Sequence, residues 1–66
     1  MIRLGEKHAA LDAKVMAAFA KHGQLRPSQL VTITGAAHRD VDHALDRLRR
    51  AGKIVFVSAV AGWKIK

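Results

Sequence analysis

The chain is predicted to be α+β and mainly helical, with three helices followed by a C-terminal β-hairpin. Three observations predict it. Val41, Ala44, Leu45 and Leu48 recur at i, i+3, i+4 and i+7, the spacing that places them on one face of an α-helix. Gly52 follows, and the composition then switches to a β-branched and aromatic run, Ile54-Val55-Phe56-Val57, with a second short run at Trp63-Lys64-Ile65. Upstream, Leu11, Val15, Ala18, Phe19 and His22 recur at i, i+4, i+7, i+8 and i+11 in a segment rich in alanine, the strongest helix former.

Taken in order, the first helix is expected from about Lys7 to His22. Lys21-His22-Gly23 closes it, with cations at the negative end of the dipole and a glycine cap. Met1 to Glu6 is either a frayed arm or an extra helical turn, with the arm favoured, and Arg3, like Lys7 just after it, could reach a phosphate backbone. Leu25 is expected to turn inward as a minimal strand edge, and Pro27 suits the first position of a second helix. Gln29 can reach back to an orphan amide there. The run Leu30-Val31-Thr32-Ile33-Thr34 has strand propensity in isolation. Pro27 before it, Gly35 after it, and Leu30 with Ile33 at i and i+3 make it a short helix instead. Gly35-Ala36-Ala37 is the turn into the third helix, residues 38–50. Ile54 to Val57, a turn over Ser58 to Gly62, and Trp63 to Ile65 form the hairpin. Ile54 and Phe56 share a face with Trp63 and Ile65, and that face is expected to cover the open side of the helices.

Sixty-six residues make one domain, 1–66, which buries only about 60% of its unfolded surface and so has little stability to spare. The absence of Cys rules out a disulfide framework and a thiolate zinc site, and it fits a reducing compartment; the cytoplasm is the expected location. Asp12, Lys14 and Lys21 interrupt the alanine-rich segment, so neither a signal peptide nor a membrane span is expected. Twelve Lys and Arg against five Asp and Glu give a net charge of +7, the sign that suits a polyanion. Nucleic acid is therefore the leading partner. The competing explanation is that the excess charge only keeps a small domain soluble.

The spacing Val41, Leu45, Leu48, Gly52, Ile54, with Gly35 six residues before Val41, resembles the recognition helix and the start of the wing in winged helix-turn-helix domains. The resemblance covers about the whole chain and marks a fold better than a function. It implies a small DNA-binding regulator of the bacterial or phage type. Many members have Ser or Thr at the position of Ala37, where a hydroxyl caps the recognition helix; here Thr34 is the substitute cap, with Asp40 stabilising the first turn through the dipole. Gly52-Lys53-Ile54 and Trp63-Lys64-Ile65 also resemble the Z-DNA-binding version. That version has Asn at the position of Asp42, Tyr at that of Asp46 and a proline pair in place of Ala61-Gly62, so left-handed DNA is not expected. Trp63 is expected in the core.

Opposite the apolar face, the third helix carries Arg39, His43, Asp46 and Arg50, with Asp42 and Arg49 on one shoulder and Arg47 on the other. If this helix enters the major groove, Arg39 and His43 meet base edges, with His38 and Asp42 beside them, while Arg47, Arg49, Arg50 and Lys53 meet phosphates. The alternative is a solvated helix face with Asp46 and Arg50 paired at i, i+4. Asp42 and Asp46 oppose a polyanion. Either they accept hydrogen bonds from cytosine amino groups, or the face meets a protein. The wing tip, Ser58 to Gly62, has no Arg or Lys, so a minor-groove clamp is not expected; Val60 either folds back or forms a small patch for a partner or a second copy. His8, His22, His38 and His43 suggest a metal, but His8 with Asp12 and His38 with Asp42 supply only two ligands each. No metal, cofactor, membrane or small-molecule substrate is expected. Ser28 and Ser58 have no base nearby in the sequence, and no catalytic residue or enzyme activity is expected. The leading expectation is sequence-specific double-stranded DNA binding by a small transcriptional regulator; the alternative is a winged helix used as a protein-interaction module. Any homodimer is expected to use the domain itself.

Overall fold

The structure, a computed structural model, describes residues 4–66, with side chains from His8 onward. Its elements run α1 (Leu4–His22), β1 (Gln24–Leu25), α2 (Pro27–Thr34), α3 (His38–Arg50), β2 (Ile54–Ser58) and β3 (Gly62–Ile65). This is the predicted class, three helices with a C-terminal hairpin. β1 adds a strand to it, giving a three-stranded antiparallel sheet in the order β1-β3-β2.

Helix α1 begins at Leu4, three residues before the expected start. A stable alanine-rich helix propagates outward at one hydrogen bond per residue fixed, and the single Gly5 costs only about 1 kcal/mol against that. Residues 4–6 are therefore helix and not arm. Met1 to Arg3, and the side chain of Lys7, lie outside the described residues. At the other end His22 is exposed and not part of the inner face, whose last member is Phe19.

The second helix forms where strand propensity alone would place β. Gln29 Oε1 accepts a hydrogen bond from the Arg26 N–H at 2.8 Å, the reach-back expected from its position. Leu30 is fully buried, but Ile33 is 46% exposed and does not share its face. The helix is only eight residues long, so one anchoring side chain fixes it against α1 and α3. Thr34 differs from its expected role. Its hydroxyl donates to the Leu30 carbonyl at 2.7 Å and accepts from the Ala36 N–H at 3.2 Å, so it closes the turn and does not cap α3.

Helix α3 buries Val41, Ala44, Leu45 and Leu48, the four predicted positions. They join Val15, Ala18 and Phe19 of α1, Leu25 of β1, Leu30 of α2 and Ile54 of β2 in one core. Past its last turn, Gly52 takes φ +74° and donates to the Arg49 carbonyl, while Lys53 donates back to Leu48, each at 3.0 Å. That pair of bonds is a Schellman closure, and the left-handed residue it needs is the glycine. The closure turns the chain directly into β2.

The hairpin covers the helices only in part. Ile54 is buried, but Phe56 is 57% exposed and Ile65 is 40% exposed. Phe56 and Trp63 face each other across the ladder and pack edge to face, with ring centroids 5.2 Å apart. The expected alternation is present, but on this face only Ile54 enters the core and Trp63 packs against it, while Ile65, paired with Ile54, stays exposed. Trp63 is half-buried and packed against the core's edge, short of the full burial expected. The register of β2 also shifts between Phe56 and Ser58, an irregularity after which pairing with β3 resumes at Ser58 and Gly62.

Candidate nucleic-acid interface

The candidate surface is the outward side of α3. Arg39, His43, Arg49 and Arg50 are exposed there, and Lys53 is exposed just beyond the helix. The amphipathic sequence forces this: once the four apolar residues face α1 and α2, the intervening charged residues have only solvent to face. The two shoulders point in different directions. One faces α1, and the other faces a groove lined by Pro27, Asp42, Leu45, Asp46, Arg49 and Trp63.

Arg47, expected among the phosphate contacts, is committed elsewhere. Its Nε and Nη2 donate to Asp12 Oδ2 and Oδ1 at 3.1 and 2.7 Å, a bidentate bridge from α3 to α1. Both side chains are largely covered, and the hydrogen bond to Asp12 holds the Arg47 proton more firmly than usual. Arg47 therefore fixes the tilt of α3 on α1 and is not free for a ligand. The other expected phosphate contacts, Arg49, Arg50 and Lys53, stay on the open surface.

Two of the three acidic residues of α3, Asp42 and Asp46, are paired within the helix. Asp42 Oδ2 lies 3.1 Å from His38 Nδ1. Asp46 Oδ1 accepts from Arg49 Nη2 at 3.0 Å, and Asp46 Oδ2 forms an ion pair with Arg50 Nε at 3.1 Å. The Arg49 hydrogen bond, with the charges of Arg50, Arg49 and His43 adding to it, holds the Asp46 carboxyl below the usual carboxylate range although partial desolvation acts the other way. The carboxylates of Asp42 and Asp46 thus lie within a helix whose cations already partner them; outside the Asp12–Arg47 bridge, α3 carries Arg39, Arg49 and Arg50 against Asp40, Asp42 and Asp46, and the positive excess of this surface comes from Lys53 just beyond the helix. The bond between His38 and Asp42 also accounts for one of the two histidine–aspartate spacings, and Arg47 accounts for the carboxylate of the other. Among the described residues no three His, Asp or Glu side chains group as a metal site.

Ala37 is the N-cap of α3 and provides no side-chain hydrogen bond, so the first amides of α3 have only Asp40 nearby in sequence as an anionic complement. The wing tip differs in character. Ser58 Oγ accepts from the Ala61 N–H at 3.0 Å and shapes the turn, while Val60 projects outward at 82% exposure. Val60 does not fold back.

The chain matches no protein-family model, no curated protein and no solved structure. No helix among the described residues is long and apolar enough to cross a membrane. Sequence reasoning missed one residue that organises this surface, Asp12, because its partner lies 35 positions away and no periodicity links the two.

Proposed function

We propose that this domain binds double-stranded DNA in a sequence-specific way, as a small winged-helix transcriptional regulator of the cytoplasm that presents α3 to the major groove. One observation carries the proposal: α3 buries its apolar residues and leaves Arg39, His43, Arg49 and Arg50 exposed on the other side, in a chain of net charge +7. Arg39 and His43, in the first half of the helix, are assigned to base edges. Arg49, Arg50 and Lys53 are assigned to phosphates, and Arg47 to holding α3 in place. His38 and Asp42 form a pair at the groove-entering end. The role is binding, with no catalytic residue, cofactor or small-molecule substrate.

A protein-interaction module is the second reading, and the exposed Phe56 and Val60 on the wing favour it, since they supply an apolar surface beside a charged helix. A second copy of the chain is one candidate partner.

Arg39 and Arg50 separate the two readings, because they lie about 16 Å apart along the helix and do different work in a groove-bound helix. Arg50→Ala is expected to weaken binding to all duplexes alike and to flatten the log–log salt slope by about one contact. Arg39→Ala is expected to cost about 1 to 3 kcal/mol mainly on a preferred sequence selected from a random library, with random-duplex affinity better preserved. If both variants bind every duplex as the wild type does, α3 is not the DNA surface and the protein-interaction reading takes its place.

A further inference from the structure

An aspartate in the middle of a DNA-facing helix opposes the phosphates around it. In this chain Asp46 holds two arginines: one oxygen accepts from Arg49 at 3.0 Å and the other forms an ion pair with Arg50 Nε at 3.1 Å. A single carboxylate occupies the place that a phosphate group would take between two guanidiniums. Both arginines remain open to solvent, with side-chain exposures of 52% and 73%, so a DNA phosphate can reach them from outside. Asp42, one turn earlier, holds only His38. Of these two carboxylates, Asp46 is therefore the one that holds arginines.

We propose that Asp46 is an internal competitor of phosphate that restrains sequence-independent DNA binding by holding Arg49 and Arg50. This rests on the DNA-binding proposal above. A phosphate that takes either arginine replaces the carboxylate as the partner of that guanidinium, and it leaves the displaced carboxylate beside the DNA backbone. The net charge delivered to the DNA is one less than the two arginines would deliver alone. Arg39 and His43, assigned to base edges, give up no partner in that exchange, although the charge of Asp46 is felt at His43 one turn away. Discrimination is thereby left to them.

The test is fluorescence anisotropy with a random-sequence duplex across a salt series, on the whole chain, with thermal melts to confirm that each variant is folded. Asp46→Asn is expected to bind about three- to tenfold more tightly at low salt, with a log–log slope steeper by about 0.9, the value for one additional neutralised phosphate. Asp46→Glu, which keeps the charge within reach of both arginines, is expected to return close to wild type. Asp42→Asn removes the same unit of charge but releases no arginine, and it is expected to gain less. Equal or weaker binding by folded Asp46→Asn would overturn the proposal, as would an equal gain in Asp42→Asn, which would reduce the effect to net charge. In either case DNA binding by the wild type would still stand. A wild-type chain with no salt-dependent duplex binding would remove the DNA-binding proposal itself, and this role of Asp46 with it.

Discussion

Leu45→Ala is expected to leave much of the domain unfolded at room temperature. Leu45 is 3% exposed, belongs to the core shared by all three helices, and sits where α3 also forms the floor of the groove beside Trp63. Truncation of a buried leucine costs about 2 to 5 kcal/mol, the spread reflecting how far the surroundings collapse into the cavity. A single core in a chain of this size rarely supplies more than about 3 to 5 kcal/mol in total, so the loss is comparable to the whole. Thermal or urea melts followed by far-UV circular dichroism measure it directly. An unchanged midpoint would show that the inward face of α3 has been assigned wrongly, and with it the outward face on which the functional proposal depends.

Gly62→Ala is expected to be nearly as damaging, for a reason that involves the backbone alone. Gly62 is buried at the start of β3 with φ +85°, a region an L-residue enters at a cost of about 1 to 2 kcal/mol. A Cβ there would also run into the Leu25 carbonyl oxygen, with the carbonyl carbon at 2.6 Å and Arg26 Cα at 2.7 Å. The obstacle is backbone of β1, which pairs with β3 immediately beside it at Leu25 and Trp63, so no side chain can swing away to make room. The two effects together are expected to lower stability by at least about 3 kcal/mol, or a melting temperature lower by roughly 12 °C or more at this size. Gly52→Ala provides the comparison, because its φ is also positive but nothing lies within 4 Å of the added Cβ. If the two variants melt alike, the close approach of β1 to β3 is not what Gly62 serves.

The apolar frame was legible because it repeats. Val41, Ala44, Leu45 and Leu48 announce the buried side of α3 through their spacing, Gly52 marks its closure, and Leu25 stands as an isolated apolar residue between two helices with nowhere to go but inward. Gln29 was legible as well, since a capping contact is local. What escaped was either long-range or set by how far one element extends past another. The Asp12 to Arg47 bridge depends on α1 and α3 crossing at a particular height, which neither helix encodes by itself. The exposure of Phe56 depends on where the helices stop beneath the hairpin, since alternation tells which face a strand residue takes but not whether anything lies opposite it. Ile33 is a similar case: an i, i+3 pair in an eight-residue helix defines a face too narrow to tell a buried position from its neighbour. On the candidate surface, the helix pattern gave the outward direction of Arg39, His43, Arg49 and Arg50. The same pattern put Arg47 on the opposite shoulder and paired Asp46 with Arg50, and the side-chain geometry added Asp12 as the partner of Arg47 and Arg49 as a second partner of Asp46.

The central claim is that the exposed face of α3 is a DNA surface, and a titration of the isotopically labelled chain with random-sequence duplex, followed amide by amide in nuclear magnetic resonance spectra, tests it most directly. The prediction is that shifts concentrate in residues 38–50 and at Lys53, leave the α1 backbone largely unmoved, and reverse steeply as salt rises, with a log–log slope near −0.9 for each phosphate contacted. Shifts confined to the wing around Phe56 and Val60, or no shifts at low salt, would contradict it.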